Sequence, residues 1–124
     1  MFHGGQGLSQ MNRLKVVQYL LNKISGKTYL EIGVELGESF CPIIAQRKIA
    51  VDPMPASPRV RAHLLQHPGA TYYQTTSDAF FARKGRNFED QKIDVALVDG
   101  LHTYAQSLKD VENCLRHLSS TFAI

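Results

Sequence analysis

Short runs of β-forming residues alternate with helix-forming segments along most of this chain. The β-type runs cover residues 28–32, 48–52, 71–75 and 93–99. Apolar spacing and capping residues predict a helix after each run, at about residues 38–46, 58–67, 77–84 and 104–118. Such alternation leads to right-handed crossovers, which build a mostly parallel sheet with helices on both faces. The sequence therefore predicts a doubly wound α/β fold.

One more helix is predicted ahead of the first strand, at residues 8–26. Its apolar residues recur every three or four positions, as along one face of a helix: Met11, Leu14, Val17, Leu21 and Ile24. Gly26 is expected to end this helix, and the glycine-rich residues 1–7 are expected to be flexible. In the last helix the same spacing predicts four core residues: Leu108, Val111, Leu115 and Leu118.

The composition indicates one globular domain of 124 residues, since 44% of the residues are hydrophobic and 20% are charged. Two cysteines are too few for a disulfide scaffold, which favours a reducing, cytoplasmic location. No apolar run reaches the roughly 18 residues that cross a bilayer. The 14 basic and 11 acidic residues are scattered, whereas nucleic-acid binding concentrates basic residues on one face. Neither a membrane nor a nucleic acid is expected as a partner.

The turn after the first predicted strand contains two glycines among three carboxylates. Gly33 and Gly37 permit a tight turn with close backbone approach to a ligand, and Glu31, Glu35 and Glu38 surround them. A dinucleotide fingerprint needs glycines at its first, third and sixth positions. Counted from Gly33, the third and sixth positions hold Glu35 and Glu38, which argues against NAD and FAD. A phosphate-binding loop would end in Lys-Ser or Lys-Thr, which this turn lacks. The acidic turn suits a cationic ligand.

Polar residues also follow the second and third predicted strands. Asp52 lies 19 positions beyond Gly33, near the roughly 20-residue offset at which a carboxylate binds ribose hydroxyls in α/β folds. Ser77 and Asp78 follow the third strand, where a side-chain oxygen can accept a hydrogen bond from the exocyclic amine of adenine. A ribose, an adenine and a positive charge together describe S-adenosylmethionine.

The chain resembles the class I S-adenosylmethionine-dependent methyltransferases in three segments, TYLEIGVELGESF, IAVDP and IDVALVDGLHTYAQSLKDVENCLRHL. It is most similar to the small-molecule subgroup, whose Asp-Gly-x-His-x-Tyr segment after the fourth strand is matched by residues 99–104. The likeness extends from about residue 28 to the C-terminus. It implies a Rossmann-like methyltransferase fold, S-adenosylmethionine as cofactor, and methyl transfer to an oxygen, nitrogen or carbon of a small-molecule acceptor.

Position by position, the resemblance implies cofactor-binding roles for residues at strand ends: Glu31, Gly33 and Gly37 at the methionine side, Asp52 at the ribose, and Ser77 and Asp78 at the adenine. Asp99 would contact the cofactor and, with His102, would border the methyl-transfer site. His102 is the candidate base. Asp99 alone provides too few oxygen ligands for Mg²⁺ or Ca²⁺, so the activity is expected to depend little or not at all on a metal.

Each assignment has a structural alternative. The glycines can be ordinary turn residues, and Asp52 can be a strand-end cap. Ser77 or Asp78 can be the N-cap of the next helix. Asp99 and His102 can likewise cap the helix predicted at residue 104.

Members of the family continue through a fifth strand and a closing hairpin, which this sequence does not reach. The chain therefore resembles a C-terminally truncated member, with its fourth strand, or a short strand at residues 121–124, expected as a free edge of the sheet. An apolar free edge pairs readily with another chain, so a homo-oligomer is expected. The main hypothesis is methyl transfer. The alternative is a catalytically silent module that binds the cofactor or associates with itself.

Overall fold

The computed structural model describes residues 7–84, 92–99 and 104–117, and their side chains except those of residues 7–12, 84 and 104. The elements of this part of the chain are α1 (Gly7–Lys23), β1 (Thr28–Ile32), β2 (Arg47–Asp52), α2 (Pro58–Gln66), β3 (Ala70–Gln74), α3 (Ser77–Lys84), β4 (Val95–Val98) and α4 (Tyr104–His117). Each has bounds within about three residues of a predicted element. None of the described helices is long and apolar enough to cross a membrane.

The four strands run parallel in the order β3-β2-β1-β4. The chain builds the sheet outward from β1 to β3 and then returns to the other side of β1 for β4. Open α/β sheets bind ligands outside the carboxyl ends of their strands, at the point where the strand order reverses. The predicted fold class is confirmed, and the crevice beside β1 and β4 is the place to examine for a site.

Helices cover both faces of the sheet. On one face, Val17 of α1 and Val60 of α2 belong to the buried apolar cluster. On the other face, Phe80 of α3 and Cys114 of α4 belong to a second cluster. Every residue of β1 and β4 is buried, as expected for strands that are covered on both sides.

The prediction of a helix at residues 38–46 is wrong, since this segment forms turns. Pro42 lies in its middle, and proline has no N–H to donate and disfavours helical geometry in the residue before it. The buried ammonium of Lys48 instead donates to three backbone carbonyls of the segment, those of Phe40, Cys41 and Ile43. This side chain replaces the backbone hydrogen bonds that a helix would have made.

The predicted core face of α4 is wrong in part. Leu108 and Leu115 are 46% and 52% exposed, Val111 is partly buried, and Leu118 lies outside the described residues. The buried residues of α4 are Ser107, Asp110 and Cys114. The buried stripe is therefore shifted by one position from the leucine stripe, because the polar Asp110 is hydrogen-bonded to α3.

Helix α1 ends in a Schellman motif. The N–H of Gly26 donates to the carbonyl of Leu21 at 2.7 Å, and the N–H of Ser25 donates to the carbonyl of Asn22 at 3.3 Å. The residue in the left-handed conformation is Ser25, with a φ of 53°. The terminating conformation thus falls one residue before Gly26, on a serine that carries the steric cost of its Cβ atom.

Ser25→Gly is therefore expected to raise the free energy of unfolding by about 0.5–1 kcal/mol, because glycine adopts this conformation without strain. Urea unfolding followed by circular dichroism measures the change. Ser25→Ala keeps the strained Cβ atom and is the control that should show no gain. Equal stabilisation by both substitutions would contradict the explanation.

Candidate functional site

Two adjoining cavities lie at the carboxyl ends of the strands. The larger cavity, of about 510 Å³, lies between the ends of β1 and β2 and the helices α3 and α4. The smaller cleft, of about 90 Å³, lies between the end of β1, the residue after β4 and α1. Gly33 and Glu35 line both of them. A ligand that crosses the glycine turn could therefore occupy both.

The turn after β1 holds three residues in the left-handed region, Gly33, Glu35 and Gly37, with φ values of 86°, 52° and 89°. The N–H of Gly33 donates to the carbonyl of Val51 at 2.9 Å, which ties the start of the turn to β2. Only glycine takes such angles without strain. Gly33 therefore allows the backbone itself to form the wall that the two cavities share.

Gly37 lines neither cavity. A Cβ atom on it would lie 2.5 Å from Cγ2 of Val60 and 3.0 Å from Sγ of Cys41. The close approach at this glycine is to α2, so packing alone accounts for it. Its contact with a cofactor stays a prediction.

Asp52 is buried at the end of β2, and its carboxylate holds the glycine turn. Oδ2 accepts hydrogen bonds from the N–H groups of Val34 at 2.8 Å and Glu35 at 3.0 Å, and Oδ1 accepts one from Met54 at 2.9 Å. Three of its roughly four acceptor positions are thus occupied. The side chain also lines the larger cavity. Asp52 therefore acts as a cap, as in the structural alternative, and its contact with a ribose stays a prediction.

Glu31 lies in the smaller cleft with 1% of its surface exposed, and the hydroxyl of Tyr29 donates to its Oε1 at 2.6 Å. Burial raises the pKa of Glu31 from 4.5 to about 8; the charge of Asp99 adds to the rise, whereas Tyr29, Lys48 and Arg13 oppose it. Burial and Glu31 also raise the pKa of Tyr29 well above 10. Because desolvation destabilises the carboxylate, a cation placed beside it would be favoured.

Arg13 of α1 borders the same cleft. Its Nη1 lies 2.7 Å from Oδ2 of Asp99, and the two side chains are 7% and 28% exposed. The N–H of Asp99 donates to the carbonyl of Ile32 at 2.8 Å, which fixes this residue beside β1. Sequence reasoning missed Arg13, although a signal was present. It precedes Val17 by four positions and so lies on the buried face of α1, where a basic residue needs a partner.

A polar network lines the far end of the larger cavity, where α3 meets α4. The hydroxyl of Ser77 donates to Oδ1 of Asp110 at 2.6 Å, and Nε2 of Gln106 donates to the same oxygen at 2.9 Å. The exposed Asp78 pairs with Lys109 at 3.1 Å. Hydrogen bonds from Lys109 and Gln106 lower the pKa of Asp78. Sequence reasoning missed Gln106 and Asp110, because it assigned the buried face of α4 to leucines.

The residue that caps α3 is Thr76. Its Oγ1 accepts a hydrogen bond from the N–H of Ala79 at 3.2 Å. The N-cap alternative is therefore wrong for Ser77 and Asp78. Since Ser77 does not cap the helix, its hydroxyl is available to bind Asp110.

The structure places the predicted residues in two groups, Glu31 and Asp99 at the smaller cleft and Asp52, Ser77 and Asp78 at the larger cavity. His102, the candidate base, lies outside the described residues. In the described part of the chain, no three histidine, cysteine or acidic side chains are grouped so that they could hold a metal ion.

A parallel sheet with helices on both faces and cavities at the carboxyl ends of its strands is typical of the doubly wound α/β class, whose members bind ligands at that edge. Residues 30–123 match the model of a methyltransferase domain family, and the chain belongs to that family. Among solved structures, the N-methyltransferase NodS from Bradyrhizobium japonicum WM9 is similar, with 17% identity and a TM-score of 0.53. The match covers 89% of this chain and 62% of that one, and it shows the shared fold. No curated protein matches the chain.

Proposed function

We propose that this chain binds S-adenosylmethionine and transfers its methyl group to a small-molecule acceptor. The observation that carries the proposal is a pair of cavities of different chemistry that share the wall formed by Gly33. Membership of the methyltransferase family supports the same reaction.

The larger cavity suits an adenosine. Its volume of about 510 Å³ falls in the range of roughly 300–1,000 Å³ that is usual for small-molecule sites. Ile32, Val51 and Met54 give it apolar walls, which suit the faces of a base. Asp52 stands at the glycine turn, where it would meet the ribose hydroxyls, and the polar network with Ser77 lies towards the far end.

The smaller cleft suits the amino-acid end of the same ligand. Glu31 and Asp99 supply acidic groups for an ammonium, and Arg13 supplies a guanidinium for a carboxylate. Since Gly33 and Glu35 line both spaces, one ligand would cross the turn from the nucleoside side to the amino-acid side.

When bound, S-adenosylmethionine supplies an electrophilic methyl group on its sulfonium. The two cavities would hold the ends of the cofactor, so that the methyl group meets the acceptor in a fixed orientation. An acceptor that must lose a proton also needs a base, and His102 is the residue proposed for it. A small-molecule acceptor is proposed because residues 99–104 resemble the segment of the small-molecule subgroup.

Calorimetric titration with S-adenosylhomocysteine, the demethylated product, and with NAD tests the proposal. We expect binding of S-adenosylhomocysteine and none of NAD at the same concentrations, because the turn is acidic and lacks the third glycine. Tighter binding of NAD would overturn the proposal. Transfer of labelled methyl to small-molecule acceptors tests the reaction itself.

Asp52→Asn is expected to weaken the binding of S-adenosylhomocysteine at least about tenfold, since losing a charge-assisted hydrogen bond costs about 1.5–3 kcal/mol. Calorimetry measures the affinity, and thermal unfolding measures any loss of stability. Asp94→Asn is the matched control, because the Asp94 carboxylate also accepts two backbone N–H groups, those of Lys27 and Thr28, but is not among the residues that line either cavity. Unchanged affinity in Asp52→Asn would show that this residue has only a structural role.

A second candidate function is a self-associating module that binds the cofactor without catalysis. In the described sheet, β4 pairs only with β1, and Leu108 and Leu115 of α4 are about half exposed. Both features favour contact with another chain, for which a second copy is proposed. A monomer in light scattering would contradict self-association, and methyl transfer would contradict a silent module. The cytoplasmic location stays a prediction.

A further inference from the structure

Asp110 is a buried carboxylate beside the larger cavity. Only 2% of the residue is exposed, and it lines the cavity wall. Its Oδ1 accepts two hydrogen bonds, from Ser77 at 2.6 Å and from Gln106 at 2.9 Å. Among the described residues, no donor is hydrogen-bonded to Oδ2. Oδ2 is not among the buried side-chain atoms that lack a partner, so it is accessible from the cavity, where a hydrogen-bond donor on a ligand would find an acceptor.

The two donors also fix the orientation of this carboxylate. Ser77 belongs to α3 and Gln106 lies one turn earlier on α4, so Oδ1 is held from two elements. The second oxygen is thereby held in place before a ligand arrives. An acceptor oriented in advance loses little conformational freedom when it binds.

Asp78, the residue predicted to face the adenine, is placed differently. Its side chain is 46% exposed and pairs with Lys109. Water competes for an exposed carboxylate, so such a group distinguishes poorly between ligands with and without a donor. Once a ligand fills the cavity, Oδ2 of Asp110 is shielded from water, so a ligand without the donor leaves this oxygen unpaired.

Asp110 and Asp52 line the same cavity, with the apolar Ile32 and Val51 also in its wall. A nucleoside with its ribose at Asp52 would therefore extend its base towards α4. We propose that Asp110 selects the base by accepting a hydrogen bond from the exocyclic amine of adenine. This inference rests on the function proposed above and makes Asp110, rather than Asp78, the residue that distinguishes a 6-amino purine from a 6-oxo purine.

Binding of S-adenosylhomocysteine is compared with binding of S-inosylhomocysteine, in which a carbonyl oxygen replaces the amine. The wild-type protein is expected to bind the adenosyl compound at least about tenfold more tightly, since the carbonyl would face the carboxylate. In Asp110→Asn, the amide oxygen would keep the donors from Ser77 and Gln106, which turns the amide NH₂ towards the base. That variant is expected to lose the preference or to reverse it.

Glu112→Gln is the matched control, because Glu112 is exposed on the same helix, and it should keep the wild-type preference. Thermal unfolding shows whether each variant folds. If Asp110→Asn is unfolded, Asp110→Ser removes the carboxylate and shortens the side chain, and it should reduce the preference to less than about threefold.

The possible failures are distinguishable. A wild-type protein that binds neither compound would contradict the proposed function. Equal binding of the two compounds by the wild-type protein, or an unchanged preference in folded Asp110→Asn or Asp110→Ser, would overturn only the role of Asp110. A change of preference confined to the Asp110 variants would support it.

Discussion

Lys48→Met is expected to lower the free energy of unfolding by about 3 kcal/mol or more. Lys48 is 4% exposed, and its ammonium donates to the carbonyls of Phe40 at 2.6 Å, Ile43 at 2.8 Å and Cys41 at 3.3 Å. Methionine fills the space of the lysine stem but donates no hydrogen bond. Each buried carbonyl left without a partner costs about 1–3 kcal/mol, so the summed loss is large.

Urea unfolding measures this loss, and Lys27→Met is the control. Lys27 is exposed and precedes β1, so its replacement should change stability by less than about 0.5 kcal/mol. Similar small losses in both variants would show that Lys48 does not hold residues 40–43 in place.

The segment held by Lys48 shows why part of the fold escaped prediction. The strands and the other helices depend on local signals, such as the continuous apolar run of β4 and the serine and proline at the start of α2. The turns at residues 38–46 depend on side-chain contacts that the spacing of apolar residues does not show. Gly37 packs against Val60, 23 positions away, and Lys48 binds carbonyls on the preceding segment. The spacing of apolar residues that predicted a helix here gives no information on either contact.

The candidate site also has a part that could be predicted from the sequence and a part that could not. Asp52 and Asp99 could be placed together from the sequence, because the carboxyl ends of parallel strands meet at one edge of a sheet. The helix residues Arg13 and Asp110 could not. Their positions depend on how α1 and α4 are rotated against the sheet, and in α4 the rotation departs by one residue from the leucine pattern. The sequence therefore predicts the site residues that follow the strands, but not those that the helices contribute.

Glu31→Gln is expected to stabilise the ligand-free protein, and increasingly so as the pH rises. The pKa of Glu31 is about 8 in the folded protein, above its ordinary value of 4.5, because of burial. Between these values the unfolded chain releases a proton that the folded protein keeps. The contribution of Glu31 to stability is thus fully present below about pH 4.5 and is lost as the pH rises to about 8, by up to about 1.4 kcal/mol per pH unit.

Glutamine has no titratable proton and can still accept the hydrogen bond from Tyr29, so the variant should exceed the wild type by on the order of 4 kcal/mol at about pH 8. Urea unfolding at about pH 5 and about pH 8 measures the difference. Glu38→Gln, an exposed position on the same turn, should keep the wild-type pH dependence. At about pH 8 and above, where the wild-type carboxyl is increasingly ionised, Glu31→Gln should bind S-adenosylhomocysteine more weakly than the wild type, because glutamine offers no charge to the ligand's ammonium. Parallel pH curves for the wild type and Glu31→Gln would contradict the raised pKa, and unchanged affinity would show that the smaller cleft does not hold the ammonium.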